Sequence, residues 1–252
     1  MRGIRSLIPV FQRRLLRWYR RHQRPLPWRK THDPYKILVS EIMLQQTQVE
    51  RVIPKYREFL RYYPTVKELA NARPSDVRKV WYPLGYNIRP TRLHQIARRV
   101  VKEHHGRIPN SYDGLIAMDG VGRYTAGAVL SFAFNQDAPA LDTNVARLLQ
   151  RYFGLPRPQF APSDRQGRAN RVRETLRFGK SNRRGKLGRG LPRLASKGRA
   201  ELWELAARVI PRGKAYEINQ AMMDFGALVC TARRPKCPTC VLRRSCRSYP
   251  VV

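Results

Sequence analysis

Acidic residues are scarce in this sequence. Its 252 residues include 17 Asp and Glu against 51 Lys and Arg, which gives a formal net charge of +34. Such an excess costs self-repulsion in a compact protein. It favours a polyanion as the partner, because neutralising phosphates releases counterions and drives binding. Nucleic acid is the leading candidate, although charge alone does not distinguish DNA from RNA or from an anionic membrane. The alternative is a basic surface that contacts only solvent.

Long hydrophobic runs are missing as well. No apolar run approaches the roughly 20 residues of a membrane-spanning helix. The N-terminal segment interleaves arginines with Leu7, Phe11 and Leu15, and it has neither the apolar core nor the cleavage site of a secretory signal. We expect an amphipathic helix of the folded protein there, with a mitochondrial presequence as the alternative. A cytoplasmic, nucleoid-associated protein without membrane contact is therefore expected.

The strict apolar–polar alternation of a half-buried strand does not occur over any useful length. Apolar residues recur instead at helical spacing, as in "KILVSEIMLQQTQVERVIPKYREFLRYY", which we expect to be interrupted at Pro54, and in "RLHQIARRVVKEHHG". Ser111 and Asp142 or Thr143 stand where helix N-caps are expected. The sequence predicts an all-α fold.

Residues 157–199 depart from this pattern. They hold fourteen Lys and Arg against only Asp164 and Glu174, with many Gly, Pro and Ser. Such a segment cannot bury much apolar surface. We interpret it as a basic, mobile insertion or an arm that grips DNA.

Cysteine is rare, and all four cysteines lie in one C-terminal stretch with the spacing C-x6-C-x2-C-x5-C. Two disulfides are disfavoured in a reducing compartment. Structural zinc usually has two C-x2-C pairs, and only one is present here. Four thiolates with uneven loops also suit an iron–sulfur cluster, so the spacing alone leaves zinc and iron–sulfur comparable. The candidate ligands are Cys230, Cys237, Cys240 and Cys246.

The string "MDGVGRYTAGAVLSFAF" places a tight turn, Gly120-Val121-Gly122, between two helices, the second starting near Arg123 or Tyr124. Backbone N–H groups of such a turn can bind phosphate without reading bases. An ordinary helix–helix turn is the alternative. The full string resembles the helix–hairpin–helix of DNA repair glycosylases, in which Pro usually stands where this chain has Asp119.

Asp142, in "LDTNVARLL", is either a plain N-cap or a catalytic group. A capping role is worth roughly 1 kcal/mol. In the superfamily that the hairpin resembles, an Asp at this place is the catalytic carboxylate, which stabilises the positive charge that develops on the sugar. Tyr124 stands where strand-cutting members carry a lysine, and a tyrosine cannot form a Schiff base. The resemblance therefore implies a monofunctional enzyme without strong AP-lyase activity.

Glu41 falls on an otherwise apolar helix, where a carboxylate is either exposed or functional. The string "SEIMLQQTQV" resembles the active-site helix of MutY-type adenine DNA glycosylases. That resemblance implies that Glu41 is the general acid, with a raised pKa. It also implies that Gln45, beside Gln46 and Thr47, fills the stack that a flipped base leaves.

The cysteine stretch, preceded by "NQAMMDFGALVC", is similar to the [4Fe–4S] loop of the endonuclease III/MutY superfamily. The resemblance implies a structural cluster on the four cysteines and phosphate contacts from Arg233, Arg234 and Lys236. It covers roughly residues 20–156 and 200–246. It implies two helical domains: a six-helix barrel with the hairpin at 30–141, and a second domain from 1–29 and 142–252.

The implied substrate is double-stranded DNA with a mispaired or damaged base, bound by a monomer. Adenine opposite guanine or 8-oxoguanine is the first expectation. Removal of thymine or uracil opposite guanine is the alternative, because "YKILVSE" lacks a Trp common in the adenine enzymes and because the chain ends at Val252, without their 8-oxoguanine-inspecting domain. A non-catalytic DNA-binding module and a basic RNA-binding protein are alternatives from other classes. The retained Glu41 and Asp142 argue against the first of these, and the hairpin and the cysteines argue against the second.

Overall fold

The computed structural model of the protein describes residues 2–86, 88–156 and 193–250, so most of the predicted basic insertion lies outside the described residues. The described part contains α-helices, short 3-10 turns and no strands, which confirms the all-α prediction. None of its helices is long and apolar enough to cross a membrane. In chain order the helices are α1 (Arg2–Arg5), α2 (Leu7–His22), α3 (Pro34–Leu44), α4 (Val49–Tyr62), α5 (Val66–Asn71), α6 (Pro74–Trp81), α7 (Ile88–Glu103), α8 (Tyr112–Ile116), α9 (Arg123–Phe134), α10 (Thr143–Phe153), α11 (Arg193–Arg208) and α12 (Ala215–Leu228).

Helix α3 begins at a strong cap. The Asp33 carboxylate accepts hydrogen bonds from the backbone N–H groups of Tyr35 and Lys36, and Pro34 occupies the first helical position, where its missing N–H costs nothing. Tyr35 and the seven consecutive residues from Ile37 to Met43 are buried in this helix, and Lys36 between them is half-buried. Because α3 is enclosed on all sides, any polar side chain that it carries in this stretch is forced into the interior.

The expected interruption at Pro54 is wrong. Helix α4 runs through Pro54, and the break in this apolar stretch falls earlier, at the turn of residues 45–48 that separates α3 from α4. Proline removes one backbone hydrogen bond, but the carbonyl that it deprives belongs to Glu50, an exposed residue on the solvent side of the helix. The turn is therefore set by the residues after Leu44 and not by the proline.

The buried side chains form two separate hydrophobic clusters. The first is built from residues 26–140 and includes Leu38, Phe59 and Trp81. The second joins α2 to residues 145–242 and includes Phe11 and Phe225. The division into two domains near residues 30 and 141 stays a proposal, which these two clusters support.

The segment between the clusters is fixed by one amide and one glycine. The Asn219 side chain on α12 donates to the Ala138 carbonyl at 2.9 Å and accepts from the Ala140 N–H at 3.2 Å. A Cβ on Gly127 of α9 would lie 2.0 Å from the Pro139 carbonyl oxygen, so only glycine lets this segment pass so close to the helix. Both contacts determine where Asp142 begins α10.

A buried carboxylate ties α12 to the first cluster. Asp224 has no exposed surface and accepts from Arg29 at 2.7 and 2.9 Å and from Arg24 at 2.7 and 3.1 Å. Charge-assisted, bidentate pairs of this kind hold a fixed geometry. The pairs lower the pKa of Asp224 against the effect of its burial.

Candidate active site

Glu41 lies in the middle of α3 and is only 4% exposed. One carboxyl oxygen is hydrogen-bonded by the Tyr124 side chain, while Oε2 is buried without a partner among the described residues. The pKa of Glu41 is raised to about 7, mainly by burial; the hydrogen bond from Tyr124 and the charge of Arg29 oppose the rise, and the nearby Asp142 charge adds to it. A buried carboxyl with this pKa still holds its proton near neutral pH, which suits a proton donor.

Asp142 is the N-cap of α10, as the sequence predicts. Its Oδ1 accepts from the Val145 N–H at 2.7 Å, and its Oδ2 accepts from the Asn144 side chain at 3.1 Å. Burial raises its pKa, although these hydrogen bonds and the charge of Arg147 oppose the rise. The donors act on the ionised form, so the site is organised to hold a carboxylate there.

Tyr124 lies near both carboxyl groups and forms a hydrogen bond with one of them, Glu41. It lies in the first turn of α9, packs against the first cluster, and donates its hydroxyl hydrogen to Glu41. Burial and the charges of Glu41 and Asp142 raise its pKa well above the usual value. The phenol therefore stays neutral, and it acts as a hydrogen-bond donor and not as a base.

The structure thus brings together the three residues predicted as catalytic, which come from three helices. Two carboxyl groups with different surroundings can divide an acid and a base role between them. Glu41 has an unsatisfied oxygen and holds a proton. Asp142 is stabilised as an anion by a helix N-terminus. The pair can protonate a leaving group and stabilise a cation formed beside it.

The residues predicted to enter the duplex form the turn after α3. Gln45 is the C-cap of the helix, Gln46 is exposed with φ of +55°, and the Thr47 N–H bonds to the Leu44 carbonyl at 3.3 Å. Because α3 carries Glu41 and ends at this turn, one helix links the predicted proton donor to the side chains predicted to enter the duplex.

The predicted phosphate hairpin has the expected backbone. Gly120 has φ of +93°, the Val121 side chain is buried in the first cluster, and Gly122 caps α9 with open space around it. The Arg123 guanidinium lies 4.2 Å from the centroid of the Trp203 ring on α11. Arg123 is therefore already engaged by an aromatic partner, and its phosphate contact stays a prediction.

All four cysteines line one cavity, together with apolar residues such as Leu148 and Phe225. The pKa of the Cys240 thiol is raised to about 11, mainly by burial, so its thiolate form requires a cation nearby. No group of three or more His, Cys, Asp or Glu side chains in the described ranges is placed to hold a metal ion. Four thiols around a shared cavity fit a multinuclear cluster, in which each sulfur binds a different iron, better than a closed tetrahedral zinc site.

The loop after Cys230 is held open towards solvent. Arg151 donates to the carbonyls of Thr231 and Ala232 at 2.7 and 3.0 Å, and the Thr231 hydroxyl donates to the Arg234 carbonyl at 2.6 Å. The cationic side chains predicted to contact DNA lie on this braced loop and are all exposed: Arg233, Arg234 and Lys236.

Sequence reasoning missed the buried polar groups around this site. Asp224 with its two arginines, Asn219 at the junction and Arg89 at the end of α3 are all buried or half-buried, yet each belongs to a residue class that is usually exposed. The strings "LPWRK" and "NQAMMDFG" contain some of them. Their partners are distant in the chain, so no local pattern indicates the pairing.

Comparison with known proteins identifies the family to which this chain belongs. The HhH-GPD superfamily base excision DNA repair protein profile matches residues 39–168. The adenine DNA glycosylase of Buchnera aphidicola subsp. Baizongia pistaciae is 34% identical over 241 residues, which are 95% of this chain and 58% of that protein. The thymine-DNA glycosylase of Aeropyrum pernix is 34% identical over 246 residues, 96% of this chain and 95% of that protein.

Solved structures agree with these relatives. A thermostable thymine-DNA glycosylase superimposes with a TM-score of 0.77 and 28% identity, and covers 97% of both chains. The chain spans about half the length of the adenine DNA glycosylases that it matches. The resemblance drawn from the hairpin, the Glu41 helix and the cysteine loop is thus confirmed, and the chain belongs to the HhH-GPD superfamily of base excision DNA repair proteins.

Proposed function

We propose that the protein is a DNA N-glycosylase that releases a mispaired base by hydrolysis. The observation that carries the proposal is the buried Glu41 carboxyl, whose Oε2 has no hydrogen-bond partner among the described residues and whose pKa is about 7. Burying such a group unpaired is costly, so its retention points to chemistry. Asp142, a carboxylate that can stabilise a developing positive charge, supplies the second group that the reaction needs.

The reaction follows from these two groups. Glu41 donates its proton to a ring nitrogen of the base, the N-glycosidic bond breaks, and its electron pair leaves with the base. Asp142 stabilises the positive charge left on the sugar and orients a water, whose oxygen bonds to C1′ and whose proton passes to the carboxylate. Tyr124 keeps Glu41 in place and provides no amine, so we expect an abasic site and not strand cleavage.

The proposed partner is double-stranded DNA bound by a monomer. The hairpin glycines and the exposed cations of the cysteine loop would grip the backbone, which is consistent with the net charge of +34. Gln45, beside Gln46 and Thr47, would fill the stack when a base is extruded, because the target bond cannot be reached inside a duplex.

Adenine opposite guanine or 8-oxoguanine is the base that we propose first. Relatives named adenine DNA glycosylase are 32–35% identical to this chain. Removal of thymine or uracil opposite guanine is the second candidate, since relatives with those names are 33% and 34% identical and are matched over 88% and 95% of their length. Identity does not separate the two candidates.

A single-turnover panel decides between them. Duplexes carrying A·G, A·8-oxoguanine, T·G and U·G pairs are incubated with excess protein, and alkali then cleaves any abasic site. We expect alkali-dependent cleavage at adenine. Cleavage at thymine or uracil alone selects the second candidate, whereas no cleavage on any duplex would contradict the glycosylase proposal. Cleavage before alkali would contradict the monofunctional assignment.

We also propose that Cys230, Cys237, Cys240 and Cys246 hold a [4Fe–4S] cluster. Its role here is structural, as it would neutralise the four thiolates and stabilise the loop that carries the cationic residues. Protein purified without oxygen should contain about four irons and four sulfides per chain and absorb visible light. Stoichiometric zinc in a colourless protein would refute the cluster.

A further inference from the structure

Arg89, at the start of α7, is an arginine with an unusual environment. It is 3% exposed, and its guanidinium donates to the carbonyls of five residues. Nη1 reaches the end of α3, at the Ile42, Met43 and Gln45 carbonyls (3.2, 2.8 and 2.6 Å). Nη2 reaches the Leu84 and Gly85 carbonyls, both at 3.1 Å.

Local electrostatics explains why the cation is tolerated there. The last carbonyls of a helix lack partners and carry the negative end of its dipole, so a cation at this end is stabilised. The guanidinium also lies 5.4 and 5.3 Å from the ring centroids of Trp81 and Tyr86. In the described part of the chain no carboxylate forms a salt bridge with it. The residue is thus devoted to backbone carbonyls of two separate segments.

Both segments contain strained backbone directly after the bonded carbonyls. Gln46, which follows the Gln45 carbonyl, has φ of +55°, and Tyr86, which follows the Gly85 carbonyl, has φ of +50°. A side chain other than glycine in this left-handed region costs about 1–3 kcal/mol and persists only where surrounding contacts enforce it. Arg89 makes those contacts at both places.

The two strained turns face each other across an open groove of about 450 Å³. Its lining consists of residues 46–48, Arg51 and residues 83–86. Arg51 closes one side by donating to the Pro83 carbonyl at 3.0 Å. The groove thus lies beside the turn that we propose to insert into DNA.

We propose that Arg89 is a positioning residue for base extrusion: its guanidinium holds the turn of residues 45–47 against the turn of residues 84–86, so that the inserting side chains are set before DNA binds. This inference rests on the proposed function. Preorganisation of this kind matters because the cost of ordering the turn is not incurred during extrusion. The Arg89 guanidinium bonds to the C-terminal end of α3, and none of these bonds goes to Glu41, Asp142 or Tyr124. Arg89 therefore acts only through the turn.

The test separates base extrusion from bond cleavage. The probe is a duplex with a 2′-fluorinated adenosine, which resists cleavage, opposite 8-oxoguanine and next to 2-aminopurine, whose fluorescence rises when its neighbour leaves the stack. Arg89→Lys keeps the charge but cannot bridge both segments with one ammonium. We expect it to lower the extrusion equilibrium constant about tenfold, the effect of losing hydrogen bonds to a charged group.

Two comparisons distinguish positioning from plain destabilisation. Leu93→Ala removes a buried side chain from the same helix but none of the hydrogen bonds between Arg89 and the turns, so the folded fraction should extrude normally. In a Gln45→Ala background, Arg89→Lys should change the extrusion equilibrium constant less than about twofold, because the effects of two substitutions that act through one element are not additive.

Equal extrusion by Arg89→Lys and Leu93→Ala, or full additivity with Gln45→Ala, would overturn the inference. If Arg89→Lys does not fold, Trp81→Phe replaces it, since this change removes the 3.3 Å bond to the Gly85 carbonyl and weakens the ring contact. A smaller loss of extrusion is then expected, and normal extrusion would overturn the inference. Failure of the wild-type protein to extrude from any of the four mismatches would instead contradict the proposed function itself.

Discussion

The raised pKa of Glu41 predicts that this residue destabilises the folded protein at alkaline pH. Its pKa is about 7 in the folded state and 4.5 in the unfolded chain, mainly because burial penalises the charged form. One pKa unit corresponds to 1.36 kcal/mol, so full ionisation costs the fold about 3 kcal/mol. Since the folded pKa is the higher one, the cost is absent below about pH 4.5 and grows until the pH passes 7.

Glu41→Gln removes this cost while keeping the size of the side chain. Relative to wild type, we expect the variant to gain about 3 kcal/mol in free energy of unfolding between pH 4 and pH 8. Fixed differences, such as those in hydrogen bonding between a carboxyl and an amide, cancel because only the change with pH is compared. Base release should be lost at every pH, because the amide cannot donate the required proton.

Urea unfolding followed by far-UV circular dichroism at pH 4, 6 and 8 measures the effect. Glu204→Gln, an exposed position on α11, is the matched control and should show no change in relative stability with pH. If wild type and Glu41→Gln keep a constant difference over this range, Glu41 is not a buried neutral carboxyl. The assignment of the proton donor would then be refuted.

Three further results are expected. Asp142→Asn should reduce single-turnover base release by at least about 1000-fold while duplex binding stays within about twofold, since the amide keeps the cap but not the charge; normal release would rule out its catalytic role. Tyr124→Phe should move the alkaline limb of the activity profile to higher pH. The Tyr124 hydrogen bond lowers the pKa of Glu41 in the wild type, so its loss raises this pKa; an unchanged limb would show that the bond is not made. Arg234→Ala should weaken binding to matched and mismatched duplexes alike and reduce the salt slope by about one, measured by fluorescence anisotropy between 50 and 200 mM salt; a loss confined to the mismatched duplex would contradict a phosphate contact.

Local signals in the sequence were sufficient for the helices and their caps. Helical periodicity, Asp142 before an apolar run and the two glycines of the hairpin each act within a few residues, so they can be read without the fold. The prediction at Pro54 is wrong because a proline on the solvent side of a helix removes only one backbone hydrogen bond, which did not end this helix. The glutamines after Leu44, half-buried Gln45 and exposed Gln46, mark the end of α3 and give a weaker local signal.

The sequence by itself determined that the protein is helical, basic and equipped with two carboxyls, a hairpin and four clustered cysteines, because side-chain chemistry and periodicity are properties of the chain. Only the tertiary structure decided which of these groups are buried and which of them meet. Desolvation raises the pKa of Glu41, and Tyr124 and Asp142 approach it from other helices. The positioning role proposed for Arg89 rests on its five carbonyl partners. They belong to segments that come together only when α3 and α7 pack, so no pattern along the chain could have indicated this role.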